Sequence, residues 1–243
     1  MTATGNDGAG GLRVGIVRSP GANCDDDTLW AFRSLGTDAN YVWHKEEALP
    51  PGLDLVVLPG GFTYGDYLRP GCIARFSPVM QAVARFTESG GLVLGICNGF
   101  QVLTEAGLLP GALAANRSLK FISRQVFVRV ETETGPWTDG LAAGDVLELP
   151  IAHHGGAYCA GPELLAELDK NDQVVLRYVA PDGERDDVWN LNGSADAIAG
   201  LRNERGNVFG LMPHPERSMD GLLGSGDGRR LLDCLLAGRE AAA

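Results

Sequence analysis

The chain has 243 residues, of which 44% are hydrophobic, and a formal net charge of −11. That length fits one large α/β domain or two small ones, and the acidic balance argues against a general nucleic-acid binder. No segment approaches the roughly 18 consecutive apolar residues of a membrane-spanning helix, so we expect neither nucleic acid nor membrane as a partner.

The N-terminus and the cysteines indicate a cytoplasmic protein. Residues 1–11 are small, polar and glycine-rich and lack the basic start and apolar core of a signal peptide, so we expect a flexible tail there. The five cysteines are widely spaced without a Cys-x-x-Cys pair, which favours a reducing compartment over a disulfide framework or a zinc site. We expect a single domain over residues 12–238.

Predicted strands and helices alternate in the first half of the chain. Apolar runs predict strands at residues 12–17, 40–43, 53–58 and 92–96. Helices are expected from Asn23 or Asp25 to about residue 35, over about residues 73–88, and over residues 100–106. Such alternation is typical of a parallel sheet covered on both faces, whose binding sites gather at the carboxyl ends of the strands.

Short predicted strands joined by turns dominate the second half. They lie at residues 125–130, 146–151, 174–179, 197–202 and 208–212, and a closing helix is expected over about residues 228–237. The expected fold is therefore α/β, a flavodoxin-like three-layer sandwich with a mostly parallel central sheet plus a partly antiparallel extra layer.

The pattern around Cys97 predicts a nucleophile. Gly95-Ile96-Cys97-Asn98-Gly99 joins a predicted strand to a predicted helix, which is the layout of a nucleophile elbow. Flanking glycines permit the tight turn, and the helix dipole favours the thiolate that attacks carbon. Because free cysteines are often small buried hydrophobes, a structural thiol is the alternative.

A second motif supplies a base and a group to orient it. His214 stands between Pro213 and Pro215, which keep it in an extended geometry, and Glu216 follows two residues later on the same side. Glu216 would accept the Nδ1–H of His214 and leave Nε2 free to take the thiol proton. A rigid surface turn is the alternative.

Two further positions are candidates around the thiol. The backbone N–H of Asn98 and that of Gly61, in the Gly60-Gly61 turn after another strand, are predicted donors of an oxyanion hole, with Phe62 as the alternative to Gly61. Gln101 lies four residues after Cys97 on the same helix face, where it would hold a polar substrate group unless it is merely exposed.

Together these residues resemble the class I, or triad-type, glutamine amidotransferases, whose Cys-x-Gly-x-Gln elbow and distant His-x-Glu match residues 97–101 and 214–216. Within that family the chain is most similar to the glutaminase subunits of phosphoribosylformylglycinamidine synthases, over about residues 13–236. The closest matches are residues 59–69, 95–101, 192–194, 198–200, 212–217, 223–225 and 227–228.

The resemblance implies a reaction of de novo purine biosynthesis. Cys97 would attack the side-chain amide of glutamine, His214 would move the proton, and water would hydrolyse the resulting thioester to glutamate. Ammonia would pass to a separate synthetase subunit, in an assembly that includes a small accessory subunit. ATP and magnesium would belong to the synthetase, with no cofactor on this chain, and the sequence has no Walker-type phosphate loop.

The chain departs from the family after His153. The family usually continues with Gly-Glu-Gly, whereas this chain has His154-Gly155-Gly156. We predict His153 as a substrate-binding residue and leave His154 unassigned. Because no carboxylate or thiol cluster stands beside the two histidines in the sequence, no metal site is predicted.

Two other functions stay open at this point. A free-standing cysteine hydrolase of the deglycase and protease-like family would use a glutamate from an early strand and would need no His-Pro-Glu. A non-catalytic regulatory subunit would keep the fold without turnover. Gln101 and the prolines around His214 weigh against the first, and the intact Cys97, His214 and Glu216 weigh against the second.

Overall fold

The computed structural model describes residues 11–240, so the predicted flexible tail, apart from Gly11, lies outside the described residues. The strands are β1 Arg13–Arg18, β2 Asp38–Trp43, β3 Leu55–Leu58, β4 Leu92–Ile96, β5 Ala112–Ala114, β6 Ile122–Val130, β7 Val146–His153, β8 Ala157–Cys159, β9 Val174–Val179, β10 Ile198–Arg202 and β11 Val208–Leu211. The α-helices are α1 Asp25–Ser34, α2 Pro78–Glu88, α3 Asn98–Glu105, α4 Pro162–Lys170 and α5 Asp227–Glu240. Within this described range, no helix is long and apolar enough to cross a membrane.

Five strands form the parallel half of the sheet, in the order β2-β1-β3-β4-β11. This is the flavodoxin-like order that the alternating pattern predicts. β3 and β11 are buried along their whole length, because α-helices cover a parallel sheet on both faces. α1 packs on β1 and β2, and α3 packs on β3, β4 and β11.

The predicted antiparallel part is present, and most of it continues the same sheet. Beyond β11 the order is β10-β9-β6-β7, each strand antiparallel to the one before. β5 and β8 pair separately. Four antiparallel pairings separate β7 from β11, so these two strands run in the same direction. The carboxyl end of β7, at His153, therefore lies on the same edge as those of β1, β3, β4 and β11.

Four elements differ from the sequence prediction. The helix expected over residues 73–88 is divided: a 3-10 turn at Ala74–Phe76 ends at Ser77, which is extended, and α2 starts at Pro78. Proline has no N–H to continue a helix but suits its first position. α4, which also starts at a proline, was missed, and so were the three-residue strands β5 and β8.

Candidate active site

Cys97 occupies the elbow between β4 and α3. Its φ of 50° and ψ of −102° lie outside the regions that side-chain-bearing residues normally adopt. A methyl group at Gly99 would collide with the carbonyl oxygen of Leu58, so glycine is required for α3 to lie this close to β3. The thiol is almost fully buried at the N-terminus of α3, with Sγ 3.8 Å from the carbonyl oxygen of Ala152.

His214 and Glu216 form a buried pair at the carboxyl end of β11. The Nδ1 of His214 lies 2.6 Å from Oε1 of Glu216, and each residue is at most 2% exposed. The pair forms through a 3-10 turn at Pro215–Arg217, and not through the extended chain that the two prolines suggested. Within the described residues, Nε2 of His214 has no hydrogen-bond partner.

Electrostatics favours a positive charge on His214. Burial opposes that charge, but Glu216, Cys97 and Cys24 outweigh it and raise the pKa of His214 well above its ordinary value. The arrangement can therefore hold a proton on the His214 ring, ready for a leaving group, as a cysteine nucleophile with a paired base requires.

The turn at Gly60 and Gly61 lies against His214. A methyl group at Gly60 would be 2.7 Å from Cε1 of that ring. The N–H of Phe62 donates to the carbonyl oxygen of Gly21, whereas that of Gly61 makes no hydrogen bond among the described residues. Asn98 is the first residue of α3, so its N–H has no acceptor within the helix. Within the described residues, two backbone donors near the site thus make no hydrogen bond: the N–H of Gly61, next to the glycine that faces His214, and that of Asn98, next to Cys97.

Gln101 lies on α3 one turn after Cys97, as predicted, and is buried rather than exposed. Its Nε2 donates to the carbonyl oxygen of Gly155 at 2.6 Å, and its Oε1 accepts from Nδ2 of Asn98 at 2.8 Å. Asn98 in turn accepts from the N–H of Thr63. Gln101 therefore ties the elbow helix to the segment after β7 and to the turn after β3.

His153 ends β7 on the same sheet edge. Its Nδ1 donates to Oδ1 of Asn116 at 3.0 Å, while its buried Nε2 has no partner among the described residues. Burial first, and then the charge of His214, lower the pKa of His153 to about 3, so the ring is neutral. Asn116, which no local pattern indicated, also accepts from the N–H of Gly156 and so shapes this segment.

His154 is exposed, and its charge reaches Asp66 in the loop after Gly61. Burial raises the pKa of Asp66 to about 6, although Asn98 and His154 oppose that rise. Asp66 therefore borders the site from the loop side, and the sequence analysis did not select it.

Cys24 is a further residue of the site that the sequence analysis did not indicate. Its thiol, a ring nitrogen of His214 and a carboxylate oxygen of Glu216 lie within 4.8 Å of one another. Such spacing would admit a metal ion, but the guanidinium of Arg217 donates to the same sulfur at 3.1 Å, and its charge opposes a cation. Its place in the sequence could have indicated it, because Cys24 lies in the loop after β1, and loops at the carboxyl ends of parallel strands form binding sites.

Comparisons with known proteins identify the family of this chain. Residues 11–226 match the model of the CobB/CobQ-like glutamine amidotransferase domain. The PurQ subunit of phosphoribosylformylglycinamidine synthase from Gloeobacter violaceus is 56% identical over 93% of this chain and 97% of its own length. The corresponding Salinibacter ruber subunit is 52% identical over 92% of this chain and 95% of its own.

A solved structure of PurLQS from Thermotoga maritima superposes with a TM-score of 0.83 at 42% identity, over 94% of this chain and 99% of that one. A glutamine amidotransferase from Thermotoga maritima shares the fold, with a TM-score of 0.54 at 18% identity, over 96% of this chain and 93% of that one. The chain belongs to the CobB/CobQ-like glutamine amidotransferase family and, within it, to the PurQ subunits of phosphoribosylformylglycinamidine synthase.

Proposed function

We propose that Cys97, His214 and Glu216 are the catalytic residues of the glutaminase subunit of phosphoribosylformylglycinamidine synthase. The observation that carries this assignment is the buried His214–Glu216 pair, which lies at the same sheet edge as the strained Cys97 elbow and has a free Nε2. A nucleophile, a base and an orienting carboxylate are the groups that acyl transfer from an amide needs.

The reaction proceeds in two halves. The Cys97 sulfur attacks the Cδ carbon of glutamine, and the N–H groups of Gly61 and Asn98 donate to the oxygen that becomes negative. His214 gives its proton to the leaving nitrogen, ammonia departs, and a γ-glutamyl thioester remains. Water, deprotonated by His214, then hydrolyses that thioester to glutamate and restores the thiol. Gln101 and His153 hold and shape the pocket around the substrate.

The ammonia is consumed by a synthetase subunit that converts formylglycinamide ribonucleotide to its amidine. The matched Thermotoga structure is of PurLQS, which supports an assembly with a synthetase and a small accessory subunit. We place ATP and magnesium on the synthetase and no cofactor on this chain, whose 12–238 region we treat as one domain. Five unpaired thiols suit a reducing cytoplasm.

Glutamate release from glutamine, measured with and without the synthetase, tests this function. We expect the synthetase to stimulate release on the order of tenfold or more, since coupled sites typically communicate over that range. Equal release by the chain alone would instead identify a free-standing hydrolase. No release from either preparation would identify a non-catalytic subunit.

Glu216→Gln is expected to lower kcat for glutamine-dependent synthesis, but by less than loss of the thiol does, because the carboxylate orients the base and does not attack the substrate. The amide keeps the size of the side chain but removes the negative charge that stabilises the protonated His214 ring. A thiol is easier to deprotonate than a serine hydroxyl, so part of the activity survives. Steady-state kinetics with glutamine and with ammonia measures the effect, and total loss in a folded variant would contradict an orienting role.

A further inference from the structure

Cys24 stands where three active-site segments meet. Its carbonyl oxygen accepts from the N–H and the hydroxyl of Thr28, which fixes it at the start of α1. Its own N–H donates to the carbonyl oxygen of Gly60 at 3.3 Å. The backbone of Cys24 therefore joins α1 to the turn that carries the free N–H of Gly61.

The sulfur of Cys24 reaches the third segment. The Nη2 of Arg217 donates to it at 3.1 Å, while the Nε of Arg217 donates to Oδ2 of Asp27 on α1 at 3.1 Å. A methyl group at Gly60 would lie 3.0 Å from this sulfur and 2.7 Å from Cε1 of His214, so thiol and imidazole face the same glycine. Arg217 directly follows Glu216, so the contact holds the turn at Pro215–Arg217 in place.

We infer that Cys24 is a positioning residue for the glutaminase reaction: its sulfur, bound to Arg217, holds the His214–Glu216 turn against the Gly60–Gly61 turn. The inference rests on the proposed function, because it assigns Cys24 a role toward that base and those oxyanion donors. Cys24 acts through His214 and Glu216 and does not touch the substrate.

The side chains around His214 show how Cys24 influences the protonation of this ring. Cys24 faces it from the start of α1, Cys97 from the elbow, His153 from the end of β7, and Glu216 from its own turn. Glu216, Cys97 and Cys24 raise the pKa of His214, against burial. Removal of Cys24 thus lowers the pKa of His214 as well as loosening its turn.

The size of the side chain makes serine and alanine informative replacements. Serine keeps an acceptor for Arg217, although its Cβ–O bond is shorter than the Cβ–S bond of cysteine and places the oxygen slightly farther from the guanidinium. Alanine leaves the Nη2 of Arg217 without this acceptor and opens space beside His214. Cys234 is a matched control, because it is equally buried on α5 and donates only to the carbonyl oxygen of Arg230.

The test is steady-state kinetics of Cys24→Ala, Cys24→Ser and Cys234→Ala in complex with the synthetase, with glutamine or ammonia as the nitrogen source. For Cys24→Ala we expect kcat with glutamine to fall about tenfold, as small misplacement of catalytic groups does, with KM within about twofold. The limb of the kcat/KM pH profile that reports His214 moves to lower pH. Cys24→Ser recovers most of the rate, and activity with ammonia is unchanged throughout.

Three results would overturn the inference. One is a Cys24→Ala enzyme with the wild-type kcat and pH profile. Another is an equal loss in Cys24→Ala and Cys234→Ala, which would identify general destabilisation. The third is a serine variant as slow as the alanine variant with an unmoved pH profile, which would leave only a packing role. Failure of the proposed function itself appears differently, as wild-type protein that releases no glutamate.

Discussion

Replacing Cys97 with alanine is expected to abolish glutamine-dependent amidine synthesis, by about 10⁴-fold or more, while ammonia-dependent synthesis by the complex survives. The thiol forms the covalent bond to substrate, and nothing near it can replace that bond: His214 is held by Glu216, and Cys24 is held by Arg217. Free ammonia enters after the step that Cys97 performs, so the synthetase half-reaction does not need the thiol. Parallel assays of the purified complex with the two nitrogen sources measure both rates.

The control for this substitution is Cys234→Ala, which removes a similarly buried thiol from α5, where its sulfur donates to the carbonyl oxygen of Arg230. It should keep both activities. Cys97 has a φ of 50°, which alanine tolerates no better than cysteine, so the variant adds little new backbone strain. Glutamine-dependent synthesis that persists in a folded Cys97→Ala complex would refute the assignment of the nucleophile.

The sequence predicts those parts of the site that have a local signature. Cys97 is flanked by the glycines that its turn needs, and the two prolines around His214 restrict the backbone next to Glu216. Even there, the extended geometry predicted for the chain from His214 to Glu216 is wrong, because a 3-10 turn brings their side chains together. Short-range rules thus identify such residues more reliably than they describe their geometry.

The rest of the site depends on topology, which no local pattern encodes. His153 reaches the edge because β7 lies four antiparallel pairings from β11 and so runs parallel to it. Asn116 and Cys24 join the site through contacts with residues 36 or more positions away, namely His153 for Asn116, and Gly60 and Arg217 for Cys24. The choice between Gly61 and Phe62 likewise required the hydrogen bond from Phe62 to Gly21.

Among the secondary elements, the missed helix α4 had a usable signal in Pro162 at its first position, followed by helix-forming Glu, Leu and Ala residues. The short strands β5 and β8 had none, because three residues cannot show a period of two. Pro78, by contrast, marks where the predicted helix over residues 73–88 is interrupted. In both helices, the proline at the first position indicates where the helix begins.

Gly61→Ala is expected to lower kcat with glutamine by about 10²–10³-fold, which is the typical cost of losing one oxyanion donor. The φ of Gly61 is +152°, and a methyl group there would lie 2.7 Å from Cα of Ala22 and 2.9 Å from the backbone nitrogen of Asn23. Because these neighbours are backbone atoms, the turn must move, and the proposed oxyanion donor moves with it. Kinetics of the complex should show a fall in kcat larger than any rise in KM, with ammonia-dependent synthesis unchanged.

Gly90→Ala separates this effect from backbone strain alone. Gly90 has a φ of +91°, also unfavourable for alanine, but a methyl group there would meet no atom within 4 Å, and the residue lies between α2 and β4, away from the site. It should lose some thermal stability and keep its kcat. A Gly61→Ala enzyme with wild-type kcat would exclude the Gly61 N–H as an oxyanion donor. Equal losses of kcat in the two variants would show that backbone strain alone causes the effect, because Gly90 has no proposed role in the reaction.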